Sequence, residues 1–323
     1  MTIVRTVLDR LVKLLAVVLI VSFLTFLLTK LLPGSPVDQI LGSEAGNPVA
    51  RAALEEDLGL DDPIHEQYLG YMGGVITDFD LGRSYSLDIP TTTFLSQRLP
   101  ASLQLMLMAQ VISLLISVPL ALYSAYRANS RADKAITAGT FGLISLPGFA
   151  LAVFLVYVFS IQLSWFPAIG YDRITGPDGL GANLKSVALP VAVLCAGLTA
   201  VYTRLLRSDL IATLQEDFVL MARSKGLPTW HILLRHALRP SSFSLLTIFA
   251  INFGTLIGGT VIVETFFGIP GVGELAARSI AQREYLVVQG VVLVIATAFV
   301  VINFIADLLY SVLDPRVRRA GVR

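Results

Sequence analysis

The sequence contains few charged residues. Of its 323 residues, 15% are Asp, Glu, Lys or Arg and 55% are hydrophobic, and the mean hydropathy is +0.74. Soluble domains are about 25% charged, so this chain has too little polar surface to fold alone in water. Its apolar runs are about twenty residues long, which is the length needed to cross a bilayer. The sequence therefore predicts an integral membrane protein.

Motifs of nucleotide hydrolysis and metal catalysis are absent from the sequence. No G-x-x-x-x-G-K-[ST] phosphate loop occurs, so the chain cannot hydrolyse ATP by that route, and no H-E-x-x-H motif occurs. The single cysteine, Cys195, excludes an internal disulfide and a multi-cysteine metal site, and we expect it to be buried. No dense basic stripe is present, which disfavours nucleic acid as a partner. A membrane enzyme would need clustered nucleophiles, bases or metal ligands, and the sequence shows none.

The apolar runs also lack carboxylates near their middles. Proton- and sodium-coupled carriers commonly place such groups at the membrane midplane, so this absence disfavours ion-coupled transport. Backbone carbonyls can bind sodium as well, and an ATP-independent channel or carrier therefore stays open as an alternative.

Six runs free of charged residues predict an all-α fold with six transmembrane helices. The third run is too long for one crossing, so we assign its helix to 135–163. The first run is longer than the apolar part of a signal peptide, and no small-residue cleavage site follows it at 33–36. The six runs are 14–29, 99–126, 135–171, 186–203, 240–263 and 285–306.

Basic residues are distributed unequally between the connecting segments. Sixteen of the 24 Lys and Arg, but only 7 of the 23 Asp and Glu, lie in the N-terminus, 127–134, 204–239 and the C-terminal tail. The positive-inside rule therefore places these segments, and both termini, in the cytoplasm.

The opposite segment 33–97 contains signals for short helices. Asn47-Pro48 predicts the start of a helix that ends near Gly59, and Asp62-Pro63 predicts the start of another that runs to about Tyr71. We interpret this segment as a small extracytoplasmic cap between the first two transmembrane helices. It contains too few large apolar residues to bury a core alone.

The cytoplasmic segment 204–239 is amphipathic. Its residues Leu210, Leu214, Phe218 and Met221 recur at helical spacing and predict one helix. Gly226-Leu227-Pro228 is expected to end this helix, and Thr229 to cap the next one. The pattern is typical both of a helix lying on lipid headgroups and of a docking helix for a cytoplasmic partner, and it does not choose between them.

Proline and glycine recur inside the apolar runs. Such residues kink helices that line a cavity, but they are also common in ordinary membrane helices. A Gly-x-x-x-Gly spacing predicts close approach of another helix, and we favour packing over conduction for it. The residues concerned are Pro119, Pro147, Gly148, Pro190, Gly254, Gly258 and Gly259, with Asn252 and Asn303 as polar positions facing protein or a pore.

Several stretches together resemble a known family. LGLDDPIHEQY at 58–68 continues to DLGRS at 80–84, and the cytoplasmic run DFVLMARSKGL at 217–227 precedes LRHALR at 234–239. Near the end, VETFF at 263–267 leads to PGVG, DLLY and LDPR at 270–273, 307–310 and 313–316. Over nearly its whole length the chain resembles the inner-membrane permeases of dipeptide and oligopeptide ABC importers. The general coupling motif has Glu-Ala-Ala where this chain has Leu220, Met221 and Ala222.

This resemblance implies a type I ABC importer permease fold and half of a translocation pathway in the plasma (inner) membrane of a prokaryote. It implies a second homologous permease, two P-loop ATPase subunits that hold ATP and Mg²⁺, and an extracytoplasmic peptide-binding protein. No cofactor, metal or catalytic residue is expected on this chain, and its other contact is membrane lipid. Permeases of nickel or another small solute are the nearest alternative. The implied layout has four parts. Residues 1–32 form the cytoplasmic N-terminus and the first transmembrane helix, and residues 33–97 form the extracytoplasmic cap. Residues 98–313 form a five-helix permease core that includes the ATPase-coupling loop 204–239, and residues 314–323 form a cytoplasmic tail.

The resemblance also implies functional residues. Gly226 is expected to form a turn of positive φ, Phe218 and Met221 to be apolar anchors, and Arg223 and Lys225 to be ionic contacts or solvated charges. The ATPase-coupling residues are Glu216, Asp217, Phe218, Met221, Ala222, Arg223, Lys225 and Gly226. The residues expected at the pathway or gate are Asn252, Gly258, Gly259, Glu264 and Pro147.

Overall fold

The computed structural model describes residues 2–31, 36–42, 46–57, 59–176 and 179–313. Over these residues the chain is helical and has no β-strand beyond one isolated bridge between Arg83 and Pro90, which confirms the all-α fold class. The α-helices are α1 (Thr2–Leu31), α2 (Pro36–Leu41), α3 (Pro48–Asp57), α4 (Ile64–Asp78), α5 (Thr91–Tyr126), α6 (Arg131–Ser145), α7 (Gly148–Leu155), α8 (Gly179–Thr213), α9 (Asp217–Ser224), α10 (Thr229–His231), α11 (Leu238–Phe267), α12 (Val272–Ala281) and α13 (Tyr285–Leu313). Two π-helical segments, π1 (Val156–Gln162) and π2 (Ile232–Ala237), directly follow α7 and α10.

Four helical segments in the described ranges are long and apolar enough to cross a membrane. A fifth crossing results if α6 and the helix formed by α7 and π1 are counted as one broken span. The apolar part of α1, Leu14–Lys30, is shorter. A count of six therefore stays a prediction, as does the four-part layout, whose tail 314–323 lies outside the described residues. The segments are Thr91–Tyr126, Gly179–Thr213, Thr229–Phe267 and Tyr285–Ile305.

The third predicted helix is broken, which corrects the single helix expected over 135–163. The span consists of two helical halves, Arg131–Ser145 and Gly148–Gln162, and the chain bends by 102° between their axes. Leu146 has extended backbone (φ −86°, ψ 122°), as expected before Pro147, because the proline ring disfavours the α conformation in the preceding residue. By contrast, α5 and α8 continue through Pro119 and Pro190. Proline alone therefore does not decide where a helix bends.

Helix termini in the segment 33–97 agree in part with the sequence signals. Asn47 Oδ1 accepts hydrogen bonds from the N–H groups of Val49 (3.1 Å) and Ala50 (3.4 Å), so the predicted cap of α3 is confirmed. The predicted cap by Asp62 is wrong, because Pro63 is the N-cap residue of α4 and no side chain caps it. This helix also continues through its glycines to Asp78, past the predicted end at Tyr71.

The chain forms two compact units. The first consists of Met1–Ser102 and Pro270–Val301, and the second of Leu103–Ile269 and Ile302–Arg323. In the first unit, a core of buried apolar side chains joins the start of α5 to α12 and α13 through Leu95, Leu275 and Val291. In the second unit, α8 packs against α6, α7 and α11. Its Tyr202 hydroxyl donates to Gln110 Oε1 on α5 at 2.6 Å, and Gln110 Nε2 donates to the Phe249 carbonyl on α11 at 3.3 Å.

Within the first unit, the buried carboxylate of Glu284 holds the loop that follows α4. Its oxygens accept from the N–H groups of Tyr85 (2.8 Å) and Ser86 (3.0 Å) and from the hydroxyls of Ser84 (3.0 Å) and Ser86. Burial, and after it the Glu284 charge, raises the pKa of the Tyr85 phenol above its ordinary value, so the Tyr85 hydroxyl keeps its proton beside this carboxylate. The loop of 84–86 is thus fixed to the residue that precedes α13.

We predict that Glu284→Gln lowers stability. The amide would place N–H groups against donors that now face a carboxylate, and hydrogen bonds to a charged group contribute about 2 kcal/mol each. We expect a lower midpoint in thermal unfolding of the purified protein. Glu56→Gln, at an exposed site on α3, is the control and should leave the midpoint unchanged. Equal midpoints for both variants would contradict a clamping role for Glu284.

Candidate functional site

The candidate site is built on the short helix α9, which one buried face holds against its own chain. Val219 and Ala222, three residues apart and therefore on one side of the helix, are buried against Ile232 of π2. Leu214 and Leu227, on the loops before and after α9, pack against the same cluster. The predicted single amphipathic helix through Leu210 and Met221 is therefore wrong, since α8 ends at Thr213 and α9 begins at Asp217.

The opposite face of α9 is exposed and unusually apolar. Phe218, Leu220 and Met221 are 44%, 65% and 62% exposed. The predicted coupling residues lie together on this surface, with one difference: Ala222 is buried in the cluster that anchors the helix. The coupling residues expected from the sequence do not include Leu220. Four consecutive apolar residues at 218–221 point in different directions around a helix, so burial of one face leaves some of them exposed, and this signal could have identified Leu220. The other exposed members are Glu216, Asp217, Arg223, Lys225 and Gly226.

Gly226 ends the segment in a turn of positive φ, as predicted. Its φ is +76°, its N–H donates to the Arg223 carbonyl at 2.9 Å, and the N–H of Leu227 donates to the Ala222 carbonyl at 3.3 Å. A Cβ at this position would meet nothing within 4 Å, so glycine is required by backbone conformation rather than by space. Pro228, not Thr229 as predicted, is the N-cap residue of α10.

An ion pair fixes the end of α8 that leads to α9. Arg207 Nε and Nη2 donate to the two carboxylate oxygens of Asp133 at 2.6 and 2.7 Å. Ser124 on α5 and the N–H of Asn129 (2.8 Å) donate to the same carboxylate. Since Asp133 is on α6 and Arg207 on α8, three helices are joined at one buried group.

Two further contacts tie the segment around α9 to the membrane helices of the second unit. The hydroxyls of Thr213, at the end of α8, and Ser241, on α11, are 2.9 Å apart. The rings of Tyr126 on α5 and Trp230 on α10 stack with centroids 4.7 Å apart. A displacement of α9 would therefore be passed to α5, α8 and α11 through packed and hydrogen-bonded groups.

Of the residues predicted at the pathway or gate, the structure brings two together. Pro147 and Gly259 both line a cleft of about 570 Å³ between the α6–α7 bend, α8 and α11. Of the glycines for which close packing was predicted, Gly254 is buried and Gly258 is exposed. A Cβ on Gly258 or Gly259 would meet nothing within 4 Å, so no described element packs closely on these two. Glu264 is fully buried in the last turn of α11, and Asn252 lies near the Tyr202 hydroxyl. Neither residue lines this cleft.

Comparison with known proteins identifies the family. Residues 117–319 match the binding-protein-dependent transport system inner membrane component, and residues 3–106 match the N-terminal region of such membrane components. The chain belongs to this family. It is thus a permease, a membrane-spanning transport subunit of an ABC importer.

Relatives of this permease match it over nearly their full length. A Brucella abortus protein, named as a candidate peptide transport system permease, is 37% identical over 313 residues, which cover 97% of this chain and 98% of the relative. The nickel import system permease protein NikB of Staphylococcus aureus is 35% identical over 320 residues, covering 98% and 93%.

Among solved structures, the permease resembles a chain of the MetNI methionine ABC transporter in an inward-facing conformation. The TM-score is 0.57 at 14% identity, over 68% of this permease and 96% of that chain. At this identity the likeness shows the fold alone, which is the type I importer permease fold that the sequence implied.

We predict that Gly226→Pro loosens α9 in the permease, because proline fixes φ near −65° and removes the N–H that bonds to Arg223. Hydrogen exchange of the α9 amides should become faster. Gly226→Ala is the matched control: it keeps the N–H and costs about 1 kcal/mol at positive φ, so protection should be largely retained. If proline left exchange unchanged, the turn at Gly226 would not position α9.

Proposed function

We propose that this permease forms half of the translocation pathway of an ATP-driven peptide importer. A second homologous permease would complete the pathway, two P-loop ATPase subunits would bind ATP and Mg²⁺ on the cytoplasmic side, and an extracytoplasmic binding protein would deliver the peptide. Both termini would lie in the cytoplasm, as the distribution of basic residues indicates. The Brucella abortus relative, which matches nearly end to end, supports peptides as the substrate class.

The observation that carries the proposal is the division of α9 into two faces. Its inner face is buried against Ile232, and its outer face exposes Phe218, Leu220 and Met221. Exposed apolar side chains of this size, ringed by charged residues, are typical of a protein-docking surface. A helix lying on lipid headgroups is the alternative. The two acidic and two basic residues around these side chains (Glu216, Asp217, Arg223 and Lys225) balance each other, so the surface has no net positive charge to attract an anionic membrane.

In this mechanism, α9 is the contact through which the ATPase moves the permease. The outer face of α9 would sit in a cleft on the ATPase, and closure of the nucleotide sandwich would displace it. Because Val219 and Ala222 fix α9 to π2 and to Leu214 in the loop that follows α8, the displacement would reach the membrane helices without bending α9. Arg207 and Asp133 would carry it to α6, whose bend at Pro147 borders the cleft near Gly259.

We predict that Phe218→Ala with Met221→Ala weakens retention of the ATPase subunits by about tenfold or more, since central apolar anchors contribute most of an interface's affinity. Co-purification of the intact complex measures this effect. Phe79→Ala is the matched control, because Phe79 is 80% exposed but lies in the first unit at the end of α4. Unchanged retention of the ATPase in the double variant, together with normal thermal stability, would contradict docking through α9.

Transport by the reconstituted complex identifies the substrate. With its binding protein in proteoliposomes, the complex should take up labelled di- or oligopeptides only when ATP is enclosed on the cytoplasmic side. Uptake of Ni²⁺ should stay at the level of empty liposomes. ATP-dependent Ni²⁺ uptake without peptide uptake would instead assign the permease to the nickel branch, which the Staphylococcus aureus relative represents.

A further inference from the structure

The first unit contains a cavity that neither the coupling surface nor the pathway residues use. It has a volume of about 590 Å³ and lies among the end of α1, α4 and the start of α13. This volume is within the range of sites that hold small molecules. Polar side chains from all three elements line it, among them Lys30 of α1, Tyr71 of α4 and Gln289 of α13.

Two buried donors at this cavity have no hydrogen-bond partner among the residues that the structure describes. Gln289 is only 3% exposed, and its Nε2 makes no hydrogen bond. The hydroxyl of Tyr71 is likewise buried and unpartnered. Buried polar groups are nearly always paired, so two unpaired donors lining one cavity indicate a ligand that carries acceptor oxygens. Lys30 adds an ammonium group, which donates to Gln67 Oε1 and has further N–H groups to offer.

The charges around the cavity disfavour a simple anion as this ligand. The lining carboxylates of Asp62, Glu66 and Asp80 outnumber the single ammonium of Lys30. A purely anionic ligand would be repelled, whereas a ligand that also carries its own ammonium would be neutral overall and would satisfy both sets of groups. The lining therefore selects for a zwitterion with an acceptor-rich anionic group and an ammonium that can donate hydrogen bonds.

The position of the cavity favours a lipid over a soluble zwitterion. Two of its walls are the ends of apolar helices, and Phe26 and Leu286 line it beside the polar groups. On α1, Phe23 and Leu28 are 41% and 61% exposed within the apolar segment Leu14–Lys30, as expected for side chains that face acyl chains. A headgroup could enter while its acyl chains stay along α1.

From this combination we infer that the cavity binds the headgroup of phosphatidylethanolamine. The phosphate oxygens accept from Gln289, Tyr71 and Lys30, and the primary ammonium donates to Glu66 and Asp80. Phosphatidylcholine carries the same phosphate but no N–H donor on its ammonium, and phosphatidylglycerol has no ammonium. The carboxylates of the lining therefore distinguish these three lipids, because only the ammonium of phosphatidylethanolamine can donate hydrogen bonds to them.

Native mass spectrometry of the full-length permease, purified with the subunits that it retains, tests this site. In a titration with the three lipids, phosphatidylethanolamine should bind about tenfold more tightly than the other two. Gln289→Leu and Tyr71→Phe should each weaken that binding by several-fold. Gln162→Leu and Tyr157→Phe, at exposed positions of π1, are matched controls and should leave it unchanged. Tyr71→Phe removes one oxygen atom only, so it still tests the site if the Gln289 variant does not fold.

A charge variant separates headgroup recognition from general lipid binding. Glu66→Gln should weaken binding of phosphatidylethanolamine more than binding of phosphatidylcholine, because the quaternary ammonium loses only charge attraction whereas the primary ammonium also loses a charge-assisted hydrogen bond. Equal binding of the three lipids, or binding that neither Gln289→Leu nor Tyr71→Phe weakens, would overturn the inference. Soluble glycerophosphoethanolamine binding as tightly as the lipid, or a dipeptide displacing the lipid, would overturn it too and assign the cavity to a soluble zwitterion.

Discussion

The ion pair between Arg207 and Asp133 is the interaction on which the part of the second unit around α9 depends. A buried carboxylate is costly unless all of its lone pairs are used, and that of Asp133 accepts from Arg207, Ser124 and the N–H of Asn129. If one of these partners were removed, the buried carboxylate of Asp133 would lose a hydrogen bond to its charge. Separating the three helices at this point would therefore cost a large amount of free energy. The end of α8, and with it the start of the segment that carries α9, is therefore placed by this ion pair together with the fully buried side chains of Leu206 and Leu210.

From that fixed point, the chain needs only a small apolar cluster to orient α9. A helix of eight residues has little stability of its own, because nucleation costs as much as its few hydrogen bonds contribute. Val219 and Ala222 supply the missing stabilisation by burial against Ile232. The same geometry forces Phe218 and Met221 outward, since side chains on the far side of a short helix have no element of this chain to cover them. Anchoring and exposure are therefore two consequences of one packing arrangement.

The sequence predicted features that depend on a few neighbouring residues. The cap at Asn47, the positive φ of Gly226 and the outward Phe218 and Met221 follow from local chemistry or from the resemblance to permeases. The sequence did not predict features that depend on contacts between residues far apart in the chain. The chain bends at Pro147 but continues as helix through Pro190, and the proline residues themselves do not predict this difference. Glu284 meets Ser84 from 200 residues away, a contact that only the folded chain creates. Tyr71 and Gln289 line the same cavity only because α4 and α13 come together in the folded chain, which their positions in the sequence do not predict.

The segment π2 lies between α10 and α11 and affects how the side chains of one helix are oriented around the axis relative to those of the other. A π-helical stretch carries one more residue than an α-helix of the same span, and here it lies between α10 and α11 within one continuous helical segment, Thr229–Phe267. Deleting one residue inside π2 converts it to ordinary α-helix and leaves the faces of both neighbours where they are. The same deletion within α11 turns every side chain beyond it by about 100° around the helix axis. A change of one residue in chain length is thus absorbed at π2, so α9 and the apolar helix α11 keep their orientations when the chain between them is shortened.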